Sequence, residues 1–420
     1  MSGKWIKCFW ICALALLLAA ADDLISRGKV FDANSSRPIE GATVTSGDVT
    51  VTTDSGGNFQ IRGSGSPLAA RAYGYRRTDG DFSSANGGEL SVKLEPFAPK
   101  ALYLSFYGIG DRTLRESALH IIDATELNAL VIDVKGDRGR IPYKSAVPLS
   151  SQIGAQEIIT VKDIDGLLRS FRERGIYTIA RIVVFKDDPL ASAKPDLAVK
   201  RSDGTLWRDR EELAWTDPFK REVWDYNLAI AEEAARYGFD EIQFDYVRFP
   251  DANDLVFSMT NTEQNRVKTV GEFLQAARKR LLPYNVSISA DLFGYVCWNL
   301  DDTGIGQTLD AVKPYLDYLS PMLYPSGFHA GIPGCHDPVA NPYEIVYRSL
   351  ARARERSGLA PVRFRPWLQA FRDYAFDRRD YGAKEIMQQI RAAEDFGSNG
   401  WMLWNPRNEY SAEGLRHNAK

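Results

Sequence analysis

Three acids, two cations and several aromatic and amide side chains fall at the ends of otherwise apolar runs, where charged groups are seldom placed without a partner or a task. Asp245 and Arg248 stand in "FDEIQFDYVRFP" (239–250), Asp291 in "SISADLFG" (287–294), and Asp133 with Lys135 in "ALVIDVKG" (129–136). Tyr324 closes "YLSPMLYP", Gln369 lies near the end of "RFRPWLQAF", and Trp404 and Asn405 end "GWMLWNP". Paired carboxylates among aromatic rings suit the cleavage of glycosidic bonds. One acid protonates the leaving oxygen, while the other attacks the anomeric carbon or activates water. Aromatic faces pack on the C–H faces of sugar rings, and polar neighbours take the hydroxyls. Arg248, turned toward Asp245, would keep that carboxylate ionised. Asp291, in a drier place, would keep its proton and serve as the acid. Asp133 and Lys135 read either as a structural ion pair or as substrate contacts. Asp240 and Glu241, ahead of the strand, read as solvated loop acids. This chemistry needs no cofactor. His329 and His336 have no metal-ligand spacing, and the chain has only four histidines.

Such residues act together only if a scaffold gathers them. From residue 101 onward, apolar runs alternate with helical patterns: 101–108, 129–136, 177–185, 241–249, 286–294, 318–325, 363–371 and 400–406. Helices are predicted over 113–126, 163–174, 218–237 and 264–282 between them. Eight strands that are apolar on both faces, most of them separated by helices, predict an α/β fold, a (β/α)8 TIM barrel. An open doubly wound sheet is disfavoured, because no Gly-rich phosphate turn follows the first strand. In a barrel the strand ends form one rim, so Asp133, Lys135, Asp245, Arg248, Asp291, Tyr324, Gln369, Trp404 and Asn405 would meet there.

Residues 24–96 have a different texture, with short alternating runs such as "GKVFD", "ATVTS", "NFQIRG" and "ELSVKLEP" between turn signals. They predict an N-terminal all-β sandwich. The order "GKVFDANSSRPIEGATVT" then "VTTDSGGNFQIRG" resembles the carboxypeptidase regulatory-like domain, a transthyretin-type sandwich that implies a spacer or adhesion role. Residues 97–100 read as a linker. Ahead of these lie Lys4, Lys7 and the apolar run "CFWICALALLLAAA". That pattern predicts a secretory signal peptide over 1–21, export to the periplasm or beyond, and no stable membrane span after cleavage. Cys297 and Cys335 would then suit a disulfide tethering two rim loops, or stay as two buried thiols.

Residues 101–410 resemble the bacterial putative glycosyl hydrolase domain family, a TIM-barrel group, through "YLSFYG", "NALVIDVKGDRGRI", "FDEIQFDYVRFP", "SISADLFGY" and "YLSPMLYPSGF". More distantly, acids ending strands four and five resemble the alpha-amylase arrangement. That likeness implies Asp245 as nucleophile, Asp291 as acid/base and retention of configuration, although amylases carry a Glu at the second position. The strand-four stretch is also similar to the chitinase motif. Val247 or Arg248 stands where its catalytic Glu falls, which argues against substrate-assisted chitinase chemistry.

The chain is 44% hydrophobic and 25% charged, with a formal net charge of −3. Mixed charge of this kind points away from a nucleic-acid partner. The expected partner is a polysaccharide or oligosaccharide. The competing expectation is a carbohydrate-binding or cell-envelope scaffold whose barrel has lost catalysis.

Overall fold

The computed structural model describes residues 24–63, 67–80, 83–84 and 89–418. The expected signal peptide lies outside them. Contacts divide the chain into two compact units, one built from residues before 95 and one from Glu95 onward, the latter also taking in Tyr73–Arg77.

The N-terminal unit holds two four-stranded sheets. In one, Leu24–Asp32 pairs antiparallel with Asn58–Gly63 and parallel with Leu90–Leu94. In the other, Thr43–Ser46 lies between Val49–Thr52 and Leu68–Arg71. Val30, Phe59, Ile61, Val92 and Leu94 are buried from the first sheet, and Val44 and Ala70 from the second. Alternate residues face inward, as period-two patterning requires.

The second unit is a closed barrel of eight parallel strands: β1 (Lys100–Leu104), β2 (Ala129–Lys135), β3 (Tyr177–Val183), β4 (Glu241–Asp245), β5 (Ser287–Phe293), β6 (Tyr318–Met322), β7 (Trp367–Gln369) and β8 (Trp401–Trp404). Pairing of Trp401, Met402 and Leu403 with Lys100, Ala101 and Leu102 closes it. Every residue of β2 and β3 is buried, because helices cover one face and the barrel interior the other. The helices start where side chains satisfy their free N–H groups. Asp163 accepts from Gly166 N–H ahead of Ile164–Glu173, and Thr262 from Asn265 N–H ahead of Glu263–Leu281. The helix Arg221–Tyr237 ends at Gly238, whose φ of 89° few other residues tolerate, and this turn aims the chain into β4.

Several strands are shorter than the apolar runs suggest. β4 stops at Asp245, since Tyr246 takes a φ of 48° and leaves the ladder. Residues 97–100 are not a slack linker. Phe97 lies 5.3 Å from the ring of Tyr177, and Lys100 opens β1. Among the described residues no helix is long and apolar enough to cross a membrane.

The interior is layered as in other TIM barrels. At the N-terminal end of the strands, Glu241 accepts from Arg365 Nη1 (2.6 Å), Ser289 Oγ (2.6 Å) and Tyr177 OH (3.1 Å). Glu241 is fully buried here, so it is no solvated loop acid. The side chains that hold it there, Tyr177, Ser289 and Arg365, are distant in sequence. Asp240, beside it, accepts from the Thr178 N–H at 2.9 Å and remains partly exposed.

Candidate active site

At the C-terminal end of the strands, Arg181 of β3 gathers four acids. Nη1 donates to Asp133 Oδ1 at 2.7 Å, and Nη2 to Asp137 Oδ1 at 2.7 Å. Nε and Nη2 both donate to Asp245 Oδ2, at 3.0 and 2.5 Å. Asp291 Oδ2 lies 3.9 Å from Nε. Strand alternation explains the gathering. Arg181 follows Tyr177 and Ile179 on the inward face, and Asp133 follows Ala129 and Val131. Burial works against the guanidinium's charge, but Asp137, Asp245 and Asp133 outweigh it and push its pKa up.

The acids sit in unequal surroundings. Asp245 is 5% exposed and has its second oxygen held by the Tyr246 N–H at 2.6 Å. The strained backbone at Tyr246 therefore faces the carboxylate it supports. Asp291 is 1% exposed, and Trp367 Nε1 donates to its Oδ1 at 2.7 Å. Burial, and then the charge of Asp245, raise the Asp291 pKa well above the ordinary carboxylate range. Asp133 also accepts from Tyr103 OH (2.8 Å) and the Phe106 N–H (3.0 Å), yet burial still lifts it to about 6. A Cβ at Gly136 would come within 2.9 Å of Asp133 Oδ2, which accounts for the glycine in "DVKGDRG".

Aromatic rings line the same end. Trp404 stacks on Tyr103 at 3.9 Å and 14°, and stands edge-on to Trp367 at 5.4 Å. The Arg181 guanidinium lies 4.9 Å from the Trp404 ring centre. Tyr324, half-buried, has its pKa raised by burial and by the charges of Asp291 and Asp245, so its hydroxyl stays protonated beside them.

Asp133, Asp245, Asp291, Tyr324 and Trp404 thus come together as the sequence suggests, and four other residues do not. Lys135 is fully buried outside the barrel lumen and donates to Asp187 Oδ2 at 2.5 Å. A bulge between Asp133 and Lys135 turns the two apart, so they form no ion pair. Arg248 does not reach Asp245. Its guanidinium lies over Trp215 and Tyr246, at 5.1 and 5.0 Å, and donates to the Phe249 carbonyl. The chain has already left the strand at Tyr246, so the register that would aim Arg248 at Asp245 is lost. The Gln369 amide is buried and bonded to Ser326 and the Phe371 carbonyl. Asn405 donates to the carbonyls of Ala370 and Glu409 and shapes its own loop.

Cys297 and Cys335 are free, not bridged. Cys297 is buried in the turn Gly294–Cys297, whereas Cys335 Sγ faces the Asp337 carbonyl at 3.9 Å within its own loop. His329 is exposed and stands edge-on to Tyr295 at 5.5 Å. Among the described residues no group of His, Cys, Asp or Glu is placed to hold a metal ion. Arg181, Tyr103, Trp367 and Asp137 belong to the site but escaped the sequence reading. A lone arginine inside "YTIARIVVF" is the signal that could have found the first.

Residues 101–410 match the family model described as "Putative glycosyl hydrolase domain". The chain belongs to this family. Its barrel is a glycoside hydrolase domain. Among solved structures, a hypothetical protein from Ruminiclostridium thermocellum is 40% identical over 45% of this chain and 96% of its own, with a TM-score of 0.41. The PgaB (BpsB) glycoside hydrolase domain from Bordetella bronchiseptica is 14% identical, covering 77% of this chain and 100% of its own at a TM-score of 0.52. The GH18 chitinase ChiB from Flavobacterium johnsoniae is 12% identical over 76% and 92% at a TM-score of 0.44. The Bordetella domain agrees with this glycosyl hydrolase domain in fold. No curated protein matches the chain.

Proposed function

We propose that the protein is an exported hydrolase that cleaves O-glycosidic bonds within a polysaccharide by a retaining mechanism. Asp245 is the nucleophile and Asp291 the acid/base. The observation that carries this reading is one guanidinium serving two carboxylates in unlike settings. Asp245 takes two N–H donors from Arg181, whereas Asp291 lies deeper and its pKa is driven up. A retaining hydrolase needs one carboxyl that keeps its proton beside another that can attack, and the raised pKa of Asp291 supplies the first. Asp291 would give its proton to the leaving oxygen while Asp245 closes on the anomeric carbon. It would then take a proton from the water that releases the sugar. Arg181 and the Tyr246 N–H orient Asp245, and Trp367 orients Asp291. Trp404 and Tyr324 offer ring faces to the sugar.

Residues 1–21 would direct export and be removed, and the β-sandwich would serve attachment. Intact mass of the protein recovered from the expressing cells' exported fraction tests the first point, with a chain starting at Asp22 expected. Proton NMR of the first-formed product tests the mechanism. Retention of the anomeric configuration is expected, and inversion would remove Asp245 from the nucleophile role.

A further inference from the structure

The loop after β7 uses a buried carboxylate to fix its own shape. Asp373 is 1% exposed. Its Oδ1 accepts from the Ser326 hydroxyl (2.7 Å) and the Ala375 N–H (3.1 Å). Its Oδ2 accepts from the N–H groups of Phe376 and Arg378, each at 2.9 Å, and its own N–H closes the loop on the Arg379 carbonyl. A segment held this firmly nevertheless turns Tyr374 and Phe376 outward, 54% and 37% exposed. Single exposed apolar side chains are ordinary, but two rings on one short ordered loop beside a site call for an occupant.

Tyr374 continues the site, and Phe376 lies two residues further along the same loop. Tyr324 lies close enough to Asp291 and Asp245 for both charges to act on its hydroxyl. The Phe371 ring is 5.5 Å from Tyr324, and Tyr374 is 6.1 Å from Phe371 and nearly parallel to it at 13°. An aromatic path therefore leads from the carboxylates to solvent. Ring faces of this kind match the apolar C–H face of a pyranose, and preorganisation removes the entropy cost of ordering them on binding.

We propose that Tyr374 and Phe376 form a remote subsite that stacks sugar rings of the glycan beyond the bond being cleaved, so that the site takes an extended polymer. This rests on the hydrolase reading and adds to its polysaccharide substrate a second place of contact, away from the bond being cleaved. The test compares Asp245→Asn with Asp245→Asn/Tyr374→Ala/Phe376→Ala on native gels cast with glycol chitin, chitosan, laminarin, xylan or arabinogalactan. Thermal melts check that the added changes, both at exposed positions, leave the fold intact. Retardation by at least one polymer, weakened roughly tenfold by the two loop changes, is expected. Equal retardation of both proteins, or none on any gel, overturns the proposal. Reducing-end release by wild type is read separately. Loop-dependent binding without release would sink the hydrolase reading and leave the subsite standing, whereas release with loop-independent binding would do the reverse.

Discussion

Arg181 carries one positive charge against Asp133, Asp137, Asp245 and Asp291. Asp133, Asp245 and Asp291 are buried where little water screens their repulsion, so the cluster holds a proton. Burial assigns one to Asp291 and brings Asp133 to about 6. The pH dependence follows from the sign of these shifts. Activity that needs protonated Asp291 persists above the usual carboxylate range and falls as pH rises through the raised pKa. Trp367→Phe keeps a ring but removes the N–H that favours the ionised form, so Asp291 holds its proton to still higher pH. The alkaline limb of the kcat/KM profile should therefore move upward, and an unmoved limb would contradict the acid role. Asp291→Asn should lower kcat by roughly 10²- to 10⁴-fold, the usual contribution of a general acid.

At the scale of elements, strand ends and the loops beyond them divide the work. β2, β3, β4 and β5 each deliver one ionisable side chain to a common point, while the loop after β7 presents rings. That loop depends on Asp373. Burial alone would raise this carboxyl, but the Ser326 hydroxyl and the N–H groups of Arg378, Ala375 and Phe376 lower it from 3.8 to about 2. The depression corresponds to about 2 kcal/mol of stability, fully present above the ordinary value and lost as pH falls toward 2. Urea unfolding of Asp373→Asn should show that deficit at pH 7 and a much smaller one near pH 2. A pH-independent difference would mean that the charge contributes nothing. The elements themselves were legible, because eight apolar runs and intervening helical periodicity leave few alternatives to a closed parallel barrel. The strand ends were not. Apolar residues such as Val247 and Phe249 are buried in a loop, and composition cannot distinguish that from a strand.

For the molecule as a whole, the barrel holds a buried ion pair at one end and the proposed chemistry at the other, as the fold commonly does. Arg365 and Glu241 are both fully buried and pair at the N-terminal end. Arg365→Met should cost roughly 3–5 kcal/mol in denaturant unfolding, because it leaves a buried carboxylate uncompensated. A loss within experimental error would mean that the buried pair adds nothing to stability. Five of the nine residues of the candidate site were readable from the strand-end rule, namely Asp133, Asp245, Asp291, Tyr324 and Trp404. Arg181, Tyr103 and Trp367 were hidden because a side chain's direction inside a barrel depends on register. Lys135 misled because a bulge turns it away from Asp133 to pair with Asp187, and Gln369 because its amide is taken up by Ser326 and the Phe371 carbonyl.

The measurement that bears most directly on the central claim is reducing-end release from a panel of bacterial and plant polysaccharides by the wild-type chain and by Asp245→Asn. The account predicts release by the wild type from at least one polymer and a loss on the order of 10⁴-fold in the variant, with its fold preserved. Equal release by Asp245→Asn, or silence of the wild type across the whole panel, would contradict it.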